Sequence, residues 1–319
     1  MKSTEPKPLG PHGSPFPKNE QRTYDSEAFV QVHFTITADG HVKDPVLVKE
    51  VGPKDFADTA LEAIKTWTYV PATANGVPVE TPNWDVEMTY SFNPPVTGAR
   101  DSVYSDYNKA KDLIDARNYS GAIALLTPVL SLERLNFYER EMVSLLLSAS
   151  YLGLKDYITV GEYAEAATLF NGRYLTPPAR TMTIRLRITA DVMTGDYADA
   201  FSWYGTLKKT ESVGPDDSVT KLIDIAKARL ADPNPIHVSG RIPAIGYVNL
   251  WSHTLLRRNF SFPTVTGKLA NFVLDCDQQS LQSVISTTAE WHVPKSWSRC
   301  SLRVRGDPGA TFTLLEANE

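Results

Sequence analysis

Side chains able to do covalent chemistry are thinly spread along this chain. Hydrolysis or group transfer needs a nucleophile beside a base, and the sequence has no G-x-S-x-G elbow, no H-E-x-x-H pair and no phosphate-cradling G-x-x-x-x-G-K-[ST] loop. The six histidines, His12, His33, His41, His237, His253 and His292, stand without metal-ligand spacing. Glu162 and Glu165 fall on a predicted helix surface, where a solvated face is the ordinary reading. His33, on the polar side of a predicted strand, reads as solvated too. Arg257, Arg258, Arg299, Arg303 and Arg305 read as the wet face of a sheet, and Trp291 and Trp297 as core packing. The expectation is therefore no catalytic residue, no metal, no cofactor and no enzyme. Cys276 and Cys300 are the two cysteines, and are either two buried thiols or one disulfide. What remains is recognition by backbone and surface, which depends on how the elements are laid out.

With 319 residues, 42% of them hydrophobic and 22% charged, the chain has room for two or three domains with cores of their own. A net charge of -5 argues against a partner held by its phosphates, so no nucleic acid is expected. No apolar run approaches the roughly 20 residues of a membrane span. Residues 1–14, rich in proline, lysine and glycine, read as a disordered leader without an apolar signal region.

Residues 29–92 carry the clearest pattern. Val30, Val32, Phe34 and Ile36 alternate with Gln31, His33, Thr35 and Thr37, as in a half-buried strand. Asp39-Gly40 predicts a two-residue hairpin turn, with Val42, Val46 and Val48 on the return strand. Ala60, Leu61, Ile64 and Trp67 follow at helical spacing after Asp55, the expected N-cap. Trp84, Val86, Met88, Tyr90 and Phe92 alternate with Asp85, Glu87, Thr89 and Ser91 in a final strand. A ββαβ unit of this size leaves a strand edge open.

The period changes to 3.6 beyond the linker at 93–98. Three helix pairs turn at Asn118-Tyr119, Asp156-Tyr157 and Asp196-Tyr197, the tyrosines 38 and 40 residues apart. A further helix over 219–230 reads as a solvating cap. After Asp232-Pro233-Asn234-Pro235 the pattern is β again, with strands near 236–242, 247–255 and 271–276. Ser301 to Arg305 and Thr311 to Leu315, joined by Asp307-Pro308-Gly309, predict a hairpin. The fold class is α+β and multidomain, with a small β-sandwich or barrel at the end.

Phe34-Thr35-Ile36-Thr37-Ala38-Asp39-Gly40-His41-Val42 resembles the F-x-I-x-x-D-G-x-V hairpin of the TonB C-terminal domain. The run from Ala60 to Ala72 with Trp67 and Pro71, followed by Asn75-Gly76, is similar to that family's helix-to-strand segment. Phe16-Pro17 stands where the family often has Tyr-Pro. The helix pairs resemble tetratricopeptide repeats, whose period is about 34; a generic helical bundle is the other reading. The resulting division is a TonB C-terminal-like domain at 15–93, helical repeats at 99–232 and a β-sandwich-like domain at 236–319.

The TonB resemblance implies a periplasmic protein, though no export signal or membrane anchor is found in the chain as read. It also favours the disulfide Cys276–Cys300, worth roughly 3–4 kcal/mol for a loop of about 25 residues. It implies a peptide-binding edge carried over to Trp84, Asp85, Val86, Glu87, Met88, Thr89, Tyr90, Ser91 and Phe92, with Phe16 and Pro17 near its mouth. The implied partner is an extended protein segment, such as that of an outer-membrane TonB-dependent transporter. The alternatives are a scaffold binding a protein in the helical groove, and a homodimer formed through the open edge.

Overall fold

The computed structural model describes residues 3–18, 27–92, 96–132, 135–169, 172–244, 250–277 and 279–318. The linker at 93–95 and residues 247–249 of the expected strand at 247–255 lie outside these. Two short strands open the chain, β1 (Ser3–Thr4) and β2 (Lys7–Leu9), followed by the long pair β3 (Ala28–Ile36) and β4 (Val42–Val51). Helix α1 (Lys54–Ile64) leads through β5 (Thr68–Val70), β6 (Ala72–Ala74) and β7 (Val77–Val79) to β8 (Thr81–Tyr90). The long strands form one antiparallel sheet in the order β4-β3-β8.

β3 is therefore central rather than half-buried. One face, with Val30, Val32, Phe34 and Ile36, packs on Phe56, Ala60 and Ile64 of α1. Phe29 and His33 on the other face are buried as well. The turn after β3 is longer than the expected two residues: Gly40 N–H donates to Thr37 O and Thr37 N–H to His41 O, at 2.9 Å each, with Gly40 at φ +85°. That is a three-residue loop closed by a left-handed residue. Glycine is required there twice over, because a Cβ at Gly40 would stand 2.1 Å from Tyr69 O. Helix α1 starts after Pro53, and Asp55 sits in its first turn rather than at the N-cap.

Within the segment expected to be a disordered leader, residues 3–4 and 7–9 are paired instead. β1 pairs with β6 and β2 with β5, antiparallel. His12 stacks on Trp67 with ring centroids 4.6 Å apart and parallel planes. Prolines 6 and 8 are compatible with this, since an edge strand tolerates a lost N–H that faces outward.

Among the described residues seven helices follow: α2 (Asp101–Asp115), α3 (Tyr119–Leu130), α4 (Phe137–Leu154), α5 (Tyr157–Ala167), α6 (Pro177–Thr194), α7 (Tyr197–Thr210) and α8 (Ser218–Ala231). Sequence neighbours pack on each other, and α2, α4, α6 and α8 also pack in series. Each tight turn is built alike. Arg117, Lys155 and Gly195 take left-handed backbone, and Asn118, Asp156 and Asp196 then accept a backbone N–H three residues on. The third turn alone uses glycine, for a local reason: a Cβ at Gly195 would stand 2.1 Å from His237 O of the last module. Helix α4 begins in a full capping box of Asn136 and Glu139, and Arg100 grips buried Glu139 through Nε and Nη2 at 2.9 Å each. No helix among the described residues is long and apolar enough to cross a membrane.

The last module is a sandwich of two four-stranded antiparallel sheets. One has the order β14 (Glu290–His292), β11 (Asn259–Thr266), β16 (Thr311–Ala317), β9 (Ile236–Arg241). The other runs β10 (Leu250–Thr254), β15 (Ser301–Gly306), β12 (Leu269–Cys276), β13 (Gln279–Val284). β15 and β16 thus lie in different sheets, and the expected hairpin is an arch across the sandwich. Asp307 N–H donates to Lys268 O on one side while Gly309 N–H donates to Ile242 O on the other. Both strands bury alternate residues, and alternation does not record which neighbour a strand pairs with. Cys276 and Cys300 form a disulfide with Cα atoms 4.1 Å apart. Phe260, Phe262, Phe272 and Phe312 fill the centre, and Trp291 packs among the first three at 5.0–5.8 Å.

Candidate functional site

β8 pairs with β3 along one side, in an unbroken register from Tyr90 opposite Ala28 to Trp84 opposite Phe34. Among the described residues no strand pairs with its outer side. Trp84, Val86 and Met88 are half-buried on the α1 face, and Asp85, Glu87 and Thr89 are exposed on the other. Tyr90 is buried at the far end, 4.8 Å from Phe56 and 5.4 Å from Phe16, ring to ring. Ser91 and Phe92 fall beyond the strand, and Phe92 N–H is already donated to Glu27 Oε1 at 3.1 Å. Phe16 and Pro17 sit beside the Tyr90 end, Phe16 edge-on to Phe56 and Pro17 buried.

Burial acts on the two phenols on the aromatic side of the edge. Burial pushes the Tyr69 phenol up to about 12, against a contact with Trp84 that works the other way. Burial likewise raises Tyr90. At the opposite end of β8, Trp84 and Asp85 border a cleft of about 860 Å³. Its far wall is the sandwich, through Asp275, Asp277, Arg299 and Arg303.

The other polar residues that sequence reasoning placed at the surface are mostly interior clamps. His33 is buried, with Nδ1 at 3.1 Å from Asp85 Oδ1. Glu162 accepts from Arg241 Nε and Nη2 at 2.9 and 2.7 Å, and Glu165 pairs with Lys49. Burial works to raise the Glu165 carboxyl, but Lys49 and Arg187 outweigh it and hold it down at about 2. These pairs line a cavity of about 340 Å³ where the sheet, the helices and the sandwich meet. Asp191 borders the same cavity, and burial raises its carboxyl against the pull of Arg187. Arg257 is no wet-face residue: its guanidinium donates to the carbonyls of Asn234, Leu230 and Asp232 and so clamps the preceding linker. Arg303 is bound to Asp275, and Arg299 Nε lies 2.7 Å from Asp277.

One constellation had no sequence signal, because its members come from three distant segments. His253 on β10 is buried, with Nε2 2.7 Å from Glu316 of β16 and Nδ1 3.1 Å from Asp196, the N-cap of α7. Asp196 acts on the ring first through its charge. Burial opposes protonation of the ring, but Asp196 and Glu316 outweigh it and raise the imidazole to about 10. Glu316 also accepts the backbone N–H groups of Leu256 and Arg257 at 2.6 and 2.8 Å. The triad ties the N-terminus of α7 to β10 and β16, the geometry of a clamp between helices and sandwich.

A search of curated proteins finds none that matches the chain. Residues 14–92, which span Phe16, the sheet β4-β3-β8 and helix α1, match the family model described as Gram-negative bacterial TonB protein C-terminal.

Proposed function

We propose that the protein is an envelope-associated adaptor of the periplasmic side, which binds an extended peptide by adding it as a strand to β8. The supporting observation is the difference between the two edges of one sheet. β4 is blunted: Asp44 takes left-handed backbone at φ 51°, Pro45 follows it, and the register with β3 shifts twice. β8 from Trp84 to Tyr90 has no shift, no proline and no left-handed residue. Regular edges of this kind template a further strand, with backbone hydrogen bonds supplying affinity and alternate side chains supplying choice.

The match to the TonB C-terminal family supports a protein partner, and an outer-membrane transporter segment is the natural occupant. The other reading, a partner held in the helical groove, has less room. On α5 the carboxylates Glu162 and Glu165 are already taken by Arg241 and Lys49 of the neighbouring modules.

The test is amide spectroscopy of the full chain titrated with a short strand-forming peptide. Shifts gathered on residues 84–90 and their β3 partners are expected. Silence at millimolar peptide, or shifts confined to residues 99–232, refutes strand addition.

A further inference from the structure

The cleft beside β8 says what kind of peptide fits, an inference that rests on the docking reading above. Five carboxylates line it, on Glu5, Glu80, Asp85, Asp275 and Asp277, against two guanidiniums, on Arg299 and Arg303. Both arginines are already bound, to Asp277 and Asp275. Lys43 stands 3.8 Å from Glu80 outside, and His33 beside Asp85 within. The excess is acidic, and it continues along the strand, because Glu87 follows Asp85 on the same exposed face.

We infer that the occupant of β8 is a partner segment in which lysine or arginine alternates with apolar residues. A strand added to β8 places every second side chain beside Asp85 and Glu87, about 4.5–5.5 Å away between Cβ atoms. The intervening side chains lie on the face of Trp84, Val86 and Met88, which are half-buried and apolar. A basic residue is attracted on the first face and an acidic one repelled. The same argument disfavours a second copy of the chain as occupant, since two-fold pairing of β8 sets its acidic row against itself.

The experiment uses the full chain and three peptides of one length, with valine at alternate positions and lysine, serine or glutamate between. The lysine peptide is expected to bind about tenfold tighter than the glutamate peptide at low salt, with amide shifts on residues 84–90. That ratio shrinks as salt is added, because Asp85 and Glu87 are open to solvent. Equal or reversed affinities, with shifts still on β8, overturn the charge inference and leave strand addition standing. If no peptide moves the β8 amides, strand addition fails and this inference fails with it. The paired substitutions Asp85→Asn and Glu87→Gln, checked for an unchanged melting temperature, are expected to erase the lysine preference; a preference that survives them overturns the assignment. Line broadening of β8 with protein concentration alone also overturns it, in favour of a second copy.

Discussion

The helical module is joined to its two neighbours by unlike seams. Towards the sandwich there is one continuous core: Ile188, Ala200 and Leu207 belong to the same cluster as Phe262, Val304 and Leu314. Towards the sheet the shared apolar cluster is small, built on Phe29, Val51, Phe137 and Tyr174. The rest of that seam is polar. Glu27 accepts Phe137 N–H at 2.7 Å, thereby capping α4 from another module, and Lys49 reaches Glu165. The change of period near residue 232 therefore marks a change of secondary structure inside one core, whereas the sheet and α1 keep a core of their own.

Truncation tests the comparison most severely. A chain ending before residue 236 exposes the apolar side of α6–α8, and is expected to lose its sharp thermal transition and bind a hydrophobic dye. A chain lacking residues 1–96 is expected to melt cooperatively, because few apolar contacts are removed. The opposite pattern in calorimetry would break the distinction between the seams.

Next in size is the ion clamp. His253→Ala leaves Glu316, fully buried, without its cation, at an expected cost of about 3–5 kcal/mol. Glu27→Gln at the other seam keeps an acceptor for only one of the two backbone N–H groups that Glu27 serves, those of Phe137 and Phe92, and is expected to cost less, about 1–3 kcal/mol. The pH profiles differ as well. The folded-state pKa of His253 is raised from 6.5 to about 10, so its contribution is complete below 6.5 and is lost as pH climbs towards 10. Glu165 is lowered from 4.5 to about 2, so its contribution is present above 4.5 and is lost as pH falls towards 2. Glu27, raised by burial, has the sign of His253 and offsets part of that acid limb. Denaturant melts across pH should therefore show an alkaline decline that His253→Ala removes.

Sequence carried the local rules and missed the long-range ones. β3, β8 and α1 were legible because alternation and helical spacing are written in neighbouring residues such as Val30, Val32 and Phe34. The strand that carries the candidate edge was legible from Trp84 to Tyr90 on the same ground. The strand itself stops short of Ser91 and Phe92, where Glu27, a residue from before β3, takes the Phe92 backbone donor. His33, Glu162 and Arg257 were misread for a common reason. A polar residue at a period's outer position faces solvent only if nothing else packs there, and a neighbouring module does. The arch between β15 and β16 was hidden similarly, since both strands bury one face whichever sheet they join.

The smallest effect lies in the helix turns. Lys155 holds left-handed backbone at φ 59°, a conformation that costs an L-residue about 1–2 kcal/mol where glycine is at ease. Glycine also loses more chain entropy on folding, by roughly 0.5–1 kcal/mol. Lys155→Gly is accordingly expected to stabilise by no more than about 1 kcal/mol, a rise of at most about 1–2 °C in melting temperature at this chain length. The third turn already has its glycine because the sandwich backbone lies against it, and Gly195→Ala would drive a methyl into His237 O. A gain at residue 155 together with a loss at 195 would show that the turns share one local design, and that only the third has been given over to holding the sandwich.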